Sequence, residues 1–596
     1  MQQENQFSLL RERRFVPFFW TQFLGAFNDN VYKNALVIMF AFQVTSLSAR
    51  DANALINLSA AIFILPFFLF SATSGQIADK YEKSRLIRYT VLLEVGLMIL
   101  GSAGFYLGSL GLLMFTLFLG GVQSALFGPV KYAYLPQHLK SEELVGGNGL
   151  VEMGTFVAIL LGTVLGGILI AVANWGKALV SIATVSTALL AYAVSRRIPV
   201  TPAPDPQLAI RWNPVTATRD NLRFARHNRT VFLSILGISW FWFYGATFLS
   251  QFPNFAKEVL GGDESVVTLL LALFSIGIGT GSLLCERMSG RGLELGLVPL
   301  GSIGLTLFAI DLYFASRGFA QPSTLQWTAF IVRPEAWRVV LDLVLIGVFG
   351  GFYTVPLYAL IQARSDPTHR SRIIAANNIL NALFMVISAG FAIGLGQAGF
   401  TIAQVLLLTG IVNAFVALYI YTLVPEFLLR FIVWGLVHSV FPVRKTGLEH
   451  IPQTGAALLR CESGGIVDAL IIAAAVRRPI RFVVAEHWLR APVIGFLLRS
   501  GGAIALPADP AETRFEQEIA AALAGGDLLC VFTTPQASDL VRPLAEIPVI
   551  ALKLRDRSGI QPRPRGWRAL FHTIELSASP HTRIYKQAND KVSDKV

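Results

Sequence analysis

Long apolar runs fill the first 425 residues of the chain, and short polar or basic breaks separate them. A helix must present roughly 20 mostly apolar residues to cross a hydrocarbon layer about 30 Å thick. Runs of that kind lie near 17–42, 54–77, 86–107, 110–133, 149–172, 175–195, 231–253, 265–285, 296–315, 339–362, 373–396 and 401–424, which predicts twelve spanning helices. The stretch "RRIPVTPAPDPQLAIRWNPVTATRDNLRFARHNRT" is too rich in proline and arginine to span, and it divides the helices six and six. Farther on, Phe427, Leu428, Phe431, Ile432 and Leu436, with Arg430, Arg444 and Lys445, predict an amphipathic helix lying on a membrane surface. The pattern then changes again. Strand-like runs such as "AALLRC", "IRFVVAE", "GAIAL", "DLLCVF" and "IPVIALKL" alternate with helical ones, the signature of an α/β domain. The expected parts are a six-helix half (1–197), a linker (198–229), a second half (230–425), an interfacial helix and linker (426–446), and the α/β domain (447–596).

Composition agrees with a membrane protein. Of 596 residues, 54% are hydrophobic and 14% charged, against about 25% charged in soluble domains. The net charge of +12 does not require a nucleic-acid partner, because the basic residues fall where membrane topology uses them. Arg11, Arg13 and Arg14 precede the first span; Lys80, Lys83, Arg85 and Arg88 follow the second; Lys140 follows the fourth. Arg287 and Arg291 follow the eighth, and Arg364, Arg370 and Arg372 the tenth. By the positive-inside rule both ends of the membrane region face the cytoplasm. The polar start "MQQENQFSLLRERRF" has no small-residue cleavage site, so the first span is expected to be retained. Cys285, Cys461 and Cys530 form no CxxC pair, and neither a disulfide framework, a zinc site nor a cofactor is expected. No GxxxxGK[ST] loop for a nucleotide is present.

The two halves echo each other. "GPVKYAYLPQHLKSEELVGGNGLVE" and "TVPLYALIQARSDPTHRSRIIAANNILN" each carry a proline before a Tyr-Ala pair, a Gln, a polar loop and two small residues before Asn148 or Asn377. Parallel six-helix repeats place a substrate path between the halves. The polar insert of the first span bears on that path. In "FLGAFNDNVYKNALVIMF", Gln22, Ala26, Asp29 and Lys33 follow at intervals of four, three and four, which puts them on one helical stripe. Asp29 and Lys33 could neutralise each other as an i,i+4 pair, or the stripe could face a cavity and contact a polar or zwitterionic solute. Asn28 and Asn30 accompany them, and Glu94, Lys131, Glu152 and Asp311 are the other ionisable candidates for the path. The run Trp240 to Tyr244 could line a route for an acyl chain or face lipid.

Between the second and third spans, "GQIADKYEKSR" resembles the loop signature of major facilitator transporters. The resemblance implies a conformational latch in which Gly75 permits close approach and Asp79 pairs with a basic group, with Lys80 and Arg85 beside them; Glu82 stands where the signature has glycine. "FWTQFLGAFNDNVYKNALVIMF", "GPVKYAYLPQHL" and "GGNGLVEMGTFVAILLGTVLGG" resemble the bacterial lysophospholipid transporters, a branch of that superfamily, over roughly residues 8 to 425. What this implies is a flippase of the cytoplasmic membrane that moves lysophosphatidylethanolamine-type lipids from the outer to the inner leaflet, where a separate acyltransferase or acyl-carrier-protein synthetase reacylates them. The tail resembles the glycerolipid acyltransferases, whose chemistry rests on a His-x-x-x-x-Asp pair. Aligned on Asp468, the histidine position holds Ser463, and Thr534 stands in place of the glutamate of the substrate-binding segment. Serine has no basic site near neutral pH, and general-base assistance is worth about 10²–10⁴-fold in rate. The expectation is a tail without acyl-transfer chemistry. Two alternatives stay open: a bifunctional protein with an active tail, and a proton-coupled exporter of small solutes.

Overall fold

The computed structural model describes residues 5–40, 49–289, 293–317, 325–423 and, beyond these, most of 443–532 together with 548–556, 574–580 and a few single positions. The chain divides into two units at about residue 420.

In the first unit a short 3-10 helix, Gln6–Arg11, precedes α1 (Val16–Ile38). The first half continues with α2 (Ala49–Lys80), α3 (Lys83–Leu107), α4 (Leu110–His138), α5 (Leu144–Ala171) and α6 (Gly176–Ser195). After α7 (Pro214–His227) the second half contains α8 (Arg229–Asn254), α9 (Glu264–Met288), α10 (Leu297–Ser316), a single turn α11 (Trp327–Ile331), α12 (Pro334–Arg364), α13 (Arg370–Gln397) and α14 (Ile402–Leu423). Eleven of these helices are long and apolar enough to cross a membrane. The twelfth expected span, α1, falls short of that mark because its polar insert lowers its hydropathy; it packs instead against α5 and α6.

The helix starts follow from local chemistry. Glu82, unusual in the loop signature, is the N-cap of α3 and accepts from the N–H groups of Ser84 (2.8 Å) and Arg85 (3.1 Å). Asn228 caps α8 in the same way, through the N–H of Val231. The linker 198–229 is not featureless, since Asn213 caps α7 with Pro214 in its first turn. The small buried residues Ala217, Asn221 and Ala225 seat α7 on α2 and α13.

The halves meet through equivalent surfaces. α2 packs on α13 at one junction and α5 on α9 at the other, which the repeat exchanges. Small residues let backbones touch. A Cβ on Gly277 would meet the carbonyl of Val344 and one on Gly347 that of Phe274, while Gly281 and Gly351 face Val348 and Ser282 in the same seam between α9 and α12.

The second unit holds a seven-stranded sheet in the order β1-β7-β6-β2-β5-β3-β4. Its strands are β1 (Val443–Thr446), β2 (Ala457–Cys461), β3 (Ile480–Ala485), β4 (Ile504–Leu506), β5 (Leu528–Phe532), β6 (Val549–Asp556) and β7 (Ile574–Pro580). All neighbours are parallel except β6 and β7. Alternation along β2 sends Leu459 and Cys461 into one apolar cluster with Ile472 of α15 (Ile466–Ala475), and Leu458 into another with Ile519 of α17 (Thr513–Ala524). Between them in sequence lies the short α16 (Glu486–Arg490). Both faces are therefore covered, as a mostly parallel sheet requires. The expected boundary at 446/447 needs correction. Arg444 and Lys445 belong to β1, which pairs with Ile574–Ser577, and are not on an interfacial helix; of the other residues expected there, Phe431 is helical, while Phe427, Leu428, Arg430, Ile432 and Leu436 lie outside the described residues, as do Ser463 and Thr534.

Candidate substrate cavity

A cavity of about 590 Å³ opens between the halves. α1 supplies Gln22, Ala26, Asp29 and Lys33, the residues that share one stripe by their spacing, and also Asn30 to its wall. Glu94 of α3 and Lys131 of α4 face the same space.

The polar groups form two clusters. In one, the Asn28 amide, fully buried behind the wall, donates to Glu94 Oε1 at 2.8 Å. Gln123 reaches Glu94 Oε2 at 3.4 Å, and the Ser124 hydroxyl donates to Asp29 at 3.0 Å. In the other, Lys131 Nζ donates to Thr155 Oγ1 at 2.9 Å, and Thr155 donates to Gln22 at 3.0 Å. Glu152 stands behind this cluster and accepts from the Tyr132 hydroxyl at 2.5 Å. The ring of Tyr132 stacks on Tyr358 with centroids 4.5 Å apart and planes 3° from parallel. These are the tyrosines of the two Tyr-Ala pairs in the repeat.

Asp29 and Lys33 do not close on each other. Lys33 Nζ sits 4.3 Å from the centre of the Phe63 ring, and among the described residues it makes no ion pair. A carboxylate and an ammonium thus face one cavity with their mutual pairing unmade. An apolar part of the wall comes from Phe63, Ile64 and Phe67 of α2 and Ile159 of α5, while the second half contributes Trp242, Asn378 and Met385. Of the aromatic run in α8, Trp242 lines the cavity, whereas Trp240 and Tyr244 bond within the second half, to Asn413 and the Leu305 carbonyl.

Asp311 does not belong to this site. It is bound by Arg338 of α12, and its side chain is 34% exposed. An apolar run around a charge looks the same in sequence whether the charge faces a cavity or a partner one helix away. Gln123, Ser124, Thr155, Tyr132 and Tyr358 escaped the sequence reading, because small hydroxyl and amide residues are common in spans and only position marks these.

The expected latch residues Gly75 and Asp79 lie outside the cavity lining, at the contact of α2 with α13. Asp79, fully buried, accepts from the N–H of Ser371 at 3.1 Å and from Arg372 Nε at 3.0 Å, joining α2 to α13. A Cβ on Gly75 would lie 2.7 Å from that of Ala375 and 2.9 Å from the Arg372 backbone. Lys80 and Arg85 are not part of the latch. Arg85 is exposed and near Glu82 at 3.7 Å, and Lys80 lies against Tyr81. The equivalent junction is held by the N-terminal 3-10 helix. The Gln6 N–H donates to Glu286 at 3.1 Å and its side chain to the Leu283 carbonyl at 2.8 Å. Arg14 then grips Glu143 through two nitrogens, at 2.8 and 2.9 Å. Among the described residues no group of His, Cys, Asp or Glu is arranged to hold a metal ion.

Comparison with known proteins accords with this geometry. The Major Facilitator Superfamily model matches residues 18–389. The lysophospholipid transporter LplT of Shigella flexneri is 32% identical over 353 residues, covering 58% of this chain and 78% of the relative. LplT of Serratia proteamaculans is 29% identical over 392 residues, 64% of this chain and 88% of the relative. The fold is shared with the human organic anion transporter MFSD10 (TM-score 0.54, 13% identity, 68% of this chain and 99% of that one). It is also shared with the Escherichia coli fucose:proton symporter FucP (TM-score 0.52, 12% identity, 69% and 99%). Two six-helix halves around a polar cavity, a buried ion pair between α2 and α13, and a match that runs through both halves make this chain a member of the Major Facilitator Superfamily.

Proposed function

We propose that the protein is a lysophospholipid transporter of the bacterial cytoplasmic membrane, both termini inside, moving lysophosphatidylethanolamine-type lipids from the outer to the inner leaflet. The observation that carries this reading is the unclosed pair of Asp29 and Lys33 in a cavity that joins a polar side to a wall of aromatic and aliphatic side chains. A zwitterionic head has complementary groups for both charges, and one acyl chain suits the apolar wall. Burying such charges is costly unless a partner is supplied, and the solute supplies it. The names of the LplT relatives support the substrate class. The latch closes the cytoplasmic end, so the head enters from the outer leaflet and leaves inward once Asp79 and Arg372 part. A separate acyltransferase or acyl-carrier-protein synthetase is the partner that consumes the product.

The α/β tail, in the same reading, is an acyltransferase-like domain without acyl-transfer chemistry, on the sequence at Ser463 and Thr534. Its Asp468 lies buried in the first turn of α15.

Purified protein in liposomes with labelled lysophosphatidylethanolamine and an acyl donor tests both parts. Leaflet transfer that falls in Asp29→Asn, with the label remaining monoacyl, is the expected result. Diacyl product would show an active tail. Absence of transfer under any gradient would leave a small-solute exporter.

A further inference from the structure

Outside the central cavity, α7 presents Arg219, Arg223 and His227 at intervals of four, and all three are exposed. They line a second cleft, of about 990 Å³, whose far wall is the turn from α12 to α13 with Arg364, Ser365 and His369. Two carboxylates also line it, and both are engaged. Asp220 binds Arg211 at 2.5 Å, and Asp366 accepts from Thr368 at 2.8 and 2.6 Å with His369 3.8 Å away. At its inner edge lies Arg372, already held by Asp79. Arg219 and Arg223 make no ion pair among the described residues. Like charges four residues apart on a helix repel, so this face of α7 is costly until an anion meets it. Ser365 is a separate sign of a missing ligand. It is 5% exposed, and its hydroxyl has no partner. Beside the cleft, Trp212 and Val215 are 73% and 76% exposed, the kind of side chains that anchor a helix at a lipid interface.

We infer that the cleft binds a phosphate-bearing anion with the chemistry of a glycerophospholipid head group. Guanidinium forks at Arg219 and Arg223 would grip the phosphate oxygens, and the Ser365 hydroxyl would donate to it. In this structure the anion would bridge α7 and the turn that leads to Arg372. This holds whatever solute the central cavity carries.

The test uses the full chain in an uncharged detergent, titrated separately with a short-chain phosphatidylglycerol, glycerol 3-phosphate and inorganic phosphate. Binding is read by native mass spectrometry and by thermal shift. The double substitution Arg219→Gln with Arg223→Gln should weaken binding by more than about tenfold, Ser365→Ala should weaken it less, and Lys177→Gln, at an exposed basic site elsewhere, should change nothing. Binding of the lipid alone identifies a membrane head group. Equal binding of glycerol 3-phosphate identifies a soluble ligand of the same chemistry. Binding unchanged in the double variant and in Ser365→Ala, or no binding of any of the three to the wild type, would overturn the inference.

Discussion

Asp29 and Lys33 were legible as a pair from their spacing, and their separation was not. The stripe is a property of one helix, fixed by 3.6 residues per turn. What each charge touches is set by Ser124 of α4 and Phe63 of α2, which no local pattern reveals. The same holds for Asn28, whose partner Glu94 lies 66 residues away. That bond gives a prediction. Glu94→Gln keeps an acceptor for Asn28 and should unfold close to the wild-type temperature. Glu94→Leu leaves a buried amide unpaired and should cost about 1–3 kcal/mol, read as a lower melting temperature in detergent. Gly75 offers a second. Gly→Ala inside a helix ordinarily stabilises by about 0.5–1 kcal/mol, but here the added methyl meets Ala375 and the Arg372 backbone, which cannot step aside. Gly75→Ala should destabilise the closed latch and raise labelling of a cysteine placed at Ser371, whereas Gly394→Ala on α13, with open space around it, should leave both unchanged.

Among whole elements, the spans were the easiest to read, because a run of apolar residues needs no tertiary context. α7 was missed because its buried face is made of Ala217, Asn221 and Ala225, too small and too polar to register as an apolar stripe. The N-terminal 3-10 helix carries no apolar stripe to mark it in the sequence, and its role appears only when Gln6 reaches Glu286, 280 residues away. Its anchor is pH-sensitive. Burial pushes the Glu143 carboxyl up, but hydrogen bonds from Arg14 and the Lys140 N–H outweigh this and hold it below the usual carboxylate range. A depressed carboxylate contributes stability that is fully present above its unfolded value of about 4.3 and is lost as pH falls through the folded one. Proteolysis within residues 5–14 should therefore accelerate below about pH 4, and Glu143→Gln should show that faster cleavage already at neutral pH. The glycine seam of α9 and α12 leaves no such adjustability. Gly281→Leu would have to displace the Val348 carbonyl, and the expected result is loss of folded protein on size-exclusion chromatography.

For the molecule as a whole, the division into a helical unit and an α/β unit follows from the switch of hydrophobic period, and only the junction was misplaced. Val443–Thr446 looked like the end of an amphipathic segment because the strand it pairs with, β7, begins 131 positions later, Ile574 lying opposite Val443. If the tail has no acyl-transfer chemistry, Asp468→Asn should leave leaflet transfer unaltered and yield no diacyl product, in the same liposomes as the wild type. The repeat has one further consequence, seen at Tyr132 and Tyr358. A two-fold operation carries each of two equivalent residues onto the other, so their midpoint lies on its axis, and the stacked rings mark that line. At an axis a surface meets its own image, as in an isologous dimer. A duplicated half is free to let its off-axis copies drift into different work, as the segments around Asp79 and Glu286 have. The copy on the axis must be a good neighbour to itself, and a flat ring, alike on both faces, is one of the few shapes that can be.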